Sequence, residues 1–160
     1  MREVLHYISM TAELTAAIVG ILLMIIIIRR NPKYLGNVFM GLSICFLGVF
    51  ALTIFIYDAI PEVWAIQLFL PIGICFIVTA GLFMYYTFNI LSESTKWFNE
   101  KKNWLPSTLL VIGFILYIII FPVVIIESIN PPNTRIEMLP LIIMVVLLLY
   151  FLVSVLIKIQ

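Results

Sequence analysis

The sequence predicts an all-α polytopic membrane protein of five transmembrane helices, N-terminus outside and C-terminus cytoplasmic. Three observations carry this expectation. Apolar runs recur over about 11–28, 35–57, 64–90, 104–126 and 139–157, and each can cross a hydrocarbon core of about 30 Å, which takes roughly 20 helical residues. The 160 residues are 64% hydrophobic and 11% charged, with mean hydropathy +1.24, where a soluble domain carries about a quarter charged residues. The cations, finally, gather in alternate connections.

The connections are too short to fold alone, so residues 1–160 read as one helical membrane domain. Helix follows from solvent: an unpaired backbone group in hydrocarbon is costly, so only helices and closed barrels span. Barrel strands alternate apolar and polar residues over about ten positions. Ile21–Ile28 and Leu141–Leu149 are solidly apolar instead.

The first run has Arg2 before it and Arg29 and Arg30 directly after it, with no small-x-small cleavage site beside it. It therefore reads as a retained span rather than a signal peptide. Arg29-Arg30-Asn31-Pro32-Lys33 then forms a tight reversal, because Pro32 lacks an N–H and discourages one continuous helix. Asp58-Ala59-Ile60-Pro61-Glu62 does the same after the second span.

The third run exceeds the length needed, and tilt can absorb the excess. Pro71 removes one helical hydrogen bond within it and is a candidate kink. The connection 91–103 reads as a solvated polar loop, with Lys101 and Lys102 drawn to anionic headgroups. Pro106 and Pro140 suit the first turns of the fourth and fifth helices, whereas Pro122 is a second candidate kink, near the end of the fourth. Asn130-Pro131-Pro132-Asn133, in the connection 127–138, is a strong stop to regular structure.

Charge sets the orientation. Arg29, Arg30, Lys33, Lys96, Lys101, Lys102 and Lys158 fall on one side, while Glu3, Glu13, Asp58, Glu62, Glu127 and Glu137 accumulate on the other with only Arg2 and Arg135. Basic short loops stay cytoplasmic. Trp64 at one boundary, with Trp97, Phe98 and Trp104 at the other, read as interfacial anchors. The expected location is the cell (plasma) membrane.

Small residues mark the expected seams, since they let helix backbones approach closely where lipid supplies no hydrophobic drive between helices. Ala12, Ala16 and Gly20 form one stripe on the first helix. Gly41, Cys45 and Gly48 serve the second, and Gly73, Ala80 and Gly81 the third. The fourth and fifth helices are bulky on every side, as lipid-facing mass would be.

Chemistry is sparse. Cys45 and Cys75 share a depth near the bilayer middle, but neither has a Cys-x-x-Cys spacing or basic neighbours, so both read as packing residues. His6 and Glu3 fall short of the three or four ligands a zinc site needs. Glu13 is the one carboxylate drawn inside a span, which makes it a candidate for ligand or proton handling. Asn37, Ser43 and Thr53, with Gln67, Thr79 and Asn89, form a thin polar trail on the second and third helices. No catalytic set, cofactor or metal is expected.

With formal net charge +1, no basic excess points to nucleic acid. The expected partners are membrane lipid and a protein subunit or second copy; nothing names a small-molecule ligand. The first functional expectation is an integral membrane sensor, scaffold or assembly subunit acting through helix packing, and not an enzyme. The alternative is a small transporter or channel subunit using Glu13 and the polar positions of helices two and three.

The outside start, the basic turn after the first span, Asn37-Val38-Phe39 at the start of the second and the tightly connected spans together resemble, in layout, the N-terminal membrane sensor region of some histidine kinases. That region has seven helices where this chain has five, and the catalytic modules of such kinases have no counterpart here. The resemblance implies an input or scaffold role.

Overall fold

A computed structural model describes residues 2–60, 62–121, 123–129 and 132–159, with backbone alone at 2, 3, 125–129, 132–136, 158 and 159. Its helices are α1 (Arg2–Arg30), α2 (Leu35–Ala59), α3 (Val63–Glu93), the short α4 (Lys96–Asn99), α5 (Lys101–Ile120) and α6 (Met138–Ile159); strands β1 (Val124–Ile129) and β2 (Pro132–Ile136) separate the last two helices. Among the described residues, α1, α2, α3, α5 and α6 are long and apolar enough to cross a membrane.

Local chemistry ends the helices. Arg29 and Arg30 occupy the last turn of α1, where cations offset the negative end of the helix dipole. At the end of α2, Ile60 is extended at φ −112°, ψ 97°; it precedes Pro61, and a residue before proline is pushed out of the helical region. Phe121, extended at φ −106°, ψ 129° before Pro122, ends α5 in the same way. Tyr34 caps α2 in an extended conformation and folds its ring over Gly36, where an added Cβ would come 2.6 Å from Tyr34 Cε1. At the end of α3, Ser94 takes a left-handed backbone with φ 67°, and its Oγ accepts the Lys96 N–H at 3.4 Å.

Two expectations need correction here. The fourth span stops at Ile120 rather than about 126, and Val124–Ile129 is a strand paired antiparallel with Pro132–Ile136, Val124 opposite Ile136 and Ile126 opposite Thr134. The register shifts between Ile126 and Ser128, and the Glu137 N–H donates to the Val123 carbonyl at 2.9 Å to close the hairpin base. Hydropathy cannot separate a short β-branched apolar run from a helix segment; helix termination before Pro122 leaves this run free to pair. Pro122 itself, the second candidate kink, lies outside the described residues. The solvated loop of 91–103 is likewise replaced by α4 and the first turn of α5.

Prolines sit differently in the three later spans. α3 is helical from Val63 to Glu93 with Pro71 inside it. Pro106 is the sixth residue of α5, beyond the first turn. Pro140 is the third residue of α6, a place where a missing donor costs little.

The helices make an open arrangement around α3. α1 packs on α2, α2 packs on α3, and α5 and α6 both pack on α3 far more than on each other. The accessible surface is 10101 Å², against about 8,200 Å² for a compact folded monomer of this mass. The surplus is apolar: Ile26, Ile119, Val146 and Ile157 are all exposed. In water such a surface would associate, whereas acyl chains solvate it.

Candidate functional site

The α1–α2 seam runs along Met10, Glu13, Ala17, Gly20, Met24 and Ile27, the residues of α1 turned away from its exposed faces together with Ile28. Their alternating spacing of three and four is that of a coiled-coil seam. Only Gly20 of the expected Ala12–Ala16–Gly20 stripe belongs to it. Ala12 and Ala16 are exposed, and Ala17, 2% exposed, takes the contact, because one residue along a helix turns the side chain by about 100°. A Cβ on Gly20 would lie 2.9 Å from Gly48 Cα, and one on Gly48 would lie 3.1 Å from the Ala17 carbonyl. Gly41 receives Ile28 against its backbone.

α2 and α3 meet through Gly73, where an added Cβ would come 2.7 Å from Thr53 Oγ1. Further along the same seam the buried Ser43 hydroxyl donates to the Ala80 carbonyl at 2.9 Å. Ser43 thus bonds across helices, whereas Thr53, Thr79 and Asn89 donate to Phe50, Cys75 and Tyr85 carbonyls on their own helices. Gly81 faces Leu148 and Phe151 of α6. Cys45 and Cys75 are free, half-buried thiols.

Glu13 faces α2 rather than lipid. Ser9 Oγ donates to its Oε1 at 2.8 Å, while Oε2 is buried with no hydrogen-bond partner. Tyr57 lies within electrostatic reach of both Glu13 and Asp58. This gathers polar groups of α1 and α2 at the carboxylate-rich end. No group of three or more His, Cys, Asp and Glu side chains close enough to hold a metal occurs among the described residues.

The opposite, cation-rich end holds an arrangement that sequence reasoning missed. Trp97 of α4 is not an interfacial anchor but a core residue, 5% exposed, edge-on to Tyr85 at 5.8 Å and beside Tyr86 at 5.9 Å. Phe98 stacks on Trp104 at 5.3 Å and meets Phe39 of α2 at 5.1 Å. Tyr85 also stacks on Phe151 of α6 at 5.5 Å. Offset and edge-on aromatic pairs each add about 0.5–1.5 kcal/mol beyond area burial, so this cluster ties α4 to α2, α3, α5 and α6.

Polar bonds fix the same segment. Asn103 Nδ2 donates to the Trp97 carbonyl at 2.9 Å, and the Tyr86 hydroxyl is 2.5 Å from Thr108 Oγ1. Lys96, Lys101 and Lys102 remain exposed around it. The available signal was the clustering of Tyr85-Tyr86, Trp97-Phe98 and Trp104 across one turn. By contrast Trp64, 51% exposed and donating its Nε1–H to Glu62 Oε2, has the placement of an interfacial ring.

Two hollows among the described residues exceed 500 Å³. One of about 510 Å³ lies between α3 and the end of α5, against Gln67, Pro71, Cys75, Ile118 and Val123. A shallower groove of about 770 Å³ runs along the outer face of α1 past Tyr7, Thr11, Ala12, Thr15 and Ala16. No protein-family model, curated protein or solved structure matches this chain, so the likeness to kinase sensor regions is one of layout.

Proposed function

We propose that this chain is an integral membrane sensor, scaffold or assembly subunit that acts through helix packing, in the plasma membrane, with α4 and the basic loops in the cytoplasm. The observation that carries this reading is Trp97 seated among Tyr85, Tyr86 and the neighbouring aromatic rings. A four-residue helix anchored this way cannot move independently of the spans beneath it. A shift of α3 against α2 or α6 is then transmitted to Lys96, Lys101 and Lys102 at the surface. The open arrangement around α3 and the exposed flank of α1 leave room for a protein partner or second copy, the contact that would drive such a shift.

Gentle extraction followed by intact-complex mass measurement tests the reading. An assembly of fixed stoichiometry, lost when Trp97→Ala loosens α4, is the expected result. A lone monomer under all mild conditions would overturn it.

The second reading, a small transporter or channel subunit, is favoured by Glu13, whose Oε1 accepts from Ser9 while its buried Oε2 has no hydrogen-bond partner, since an ionisable side chain within a span is a candidate for an ion or substrate pathway. Vesicle flux that disappears in Glu13→Gln would favour it over the packing role.

A further inference from the structure

The fold joins two basic segments that lie far apart in the chain. Arg29, Arg30 and Lys33 belong to the α1–α2 turn, and Lys96, Lys101 and Lys102 surround the end of α4. Phe39 of α2 meets Phe98 of α4 at 5.1 Å, and Tyr34, directly after Lys33, packs on the core that holds Trp97. All six cations are exposed, with Glu93 and Glu100 as the carboxylates of the same segments. Lys102 is paired with Glu100 at 3.0 Å, and the other five cations have no ion pair among the described residues.

Two of those cations are held in place together. Trp97 sits in the aromatic cluster between Lys96 and Lys101, and Asn103 of α5 donates to its carbonyl at 2.9 Å, so α4 is tied to the first turn of α5. Below this corner the surface is hydrocarbon. α5 turns Ser107, Val111 and Phe114 inward, and the opposite face begins at Lys101 and continues through Leu105, Leu109, Ile112 and Leu116, all exposed, at the three- and four-residue spacing of one helical stripe. From Lys101 to Ile112 the helix rises about 16 Å, close to half of a hydrocarbon core of about 30 Å. Lysine stems lie along such a surface while their ammoniums stay in the headgroup layer.

We propose that the α4–α5 corner binds an anionic phospholipid, its phosphate on the Lys96 and Lys101 ammoniums and an acyl chain along Leu105, Leu109 and Ile112. The charge is complementary, and the exposed stripe continues directly from the cation into the apolar span. A dissolved phosphate or an acidic peptide would use the lysines and leave the stripe unmatched. Because α4 is already fixed by Trp97, the two cations are preorganised, which lowers the ordering cost of binding. This contact is separable from the assembly role above: either can hold without the other.

The test uses the full chain in phosphatidylcholine nanodiscs carrying a trace of phosphatidylglycerol or phosphatidylcholine with a photoactivatable acyl chain. Phosphatidylglycerol is expected to label 105–116 roughly fivefold more than phosphatidylcholine, about the worth of one cation beside an anionic surface. Lys96→Gln with Lys101→Gln, both at exposed positions, should bring that ratio close to one, and Lys96→Arg with Lys101→Arg should keep it. Arg29→Gln with Arg30→Gln removes the same charge from α1, which packs on α2, and should leave the ratio unchanged. Inorganic phosphate should lower it no more than chloride at equal ionic strength. Equal labelling by the two lipids, adducts confined to other segments, or an equal loss in the arginine pair, which would mean diffuse attraction, would each overturn the assignment. Displacement by inorganic phosphate would overturn it in favour of a dissolved anion.

Discussion

Gly20 and Gly48 oppose each other across the α1–α2 seam so closely that a Cβ on Gly20 would stand 2.9 Å from Gly48 Cα. Backbone meets backbone there, with no flexible side-chain end to yield. In lipid, where apolar surface alone does not drive helices together, this close approach is the source of association.

Gly20→Leu should consequently separate the two helices and cost roughly 1–3 kcal/mol, the usual range for overpacking. Ala16→Leu, one turn away on the exposed face, should change stability by less than about 0.5 kcal/mol. Thermal unfolding in detergent compares the two. Equal losses would mean that α1 presents a different face to α2. Gly81→Ala should be milder than Gly20→Ala, because the nearest atom to its added Cβ is the mobile end of Leu148 at 2.8 Å.

Trp97→Ala removes the ring that α3 encloses and should cost about 3–5 kcal/mol, as for a large aromatic taken from a core. Trp64→Ala, on an exposed ring, should cost far less. Limited proteolysis adds a local readout: cleavage within 94–103 should accelerate in Trp97→Ala and stay slow in Trp64→Ala.

Ser43→Ala deletes a bond between helices and leaves the Ala80 carbonyl with its own helical donor, so the expected loss is about 0.6–1 kcal/mol. Thr79→Ala, whose hydroxyl bonds the Cys75 carbonyl within α3 at 2.7 Å, should be near neutral. A Thr79 effect equal to that of Ser43 would contradict this distinction.

Orientation is checked by labelling. In a Cys45→Ala, Cys75→Ala background, Lys101→Cys should react with an impermeant maleimide only after cells are permeabilised, while Glu62→Cys should react in intact cells. The reverse pattern would invert the proposed topology.

The five long apolar helices were legible in the sequence because a helix satisfies its own backbone hydrogen bonds and needs only length and apolarity to be long enough to cross a membrane, both local properties. Prolines announced the turns for the same reason: Pro61 and Pro122 act on Ile60 and Phe121 through covalent geometry. Which face of each helix is buried was another matter. Ala16 and Ala17 are equally small, and only the docking of α1 on α2 chooses Ala17. Trp97 and Trp64 both sit at span ends, yet only the packing of α3 against α4 encloses one of them. The run from Val124 to Ile129 has the hydropathy of a helix and becomes a strand through pairing with Pro132–Ile136. In each case the deciding partner lies on another segment, so the sequence by itself determined that long apolar helices form, and the tertiary structure decided what they face and where the fourth of them gives way to a strand.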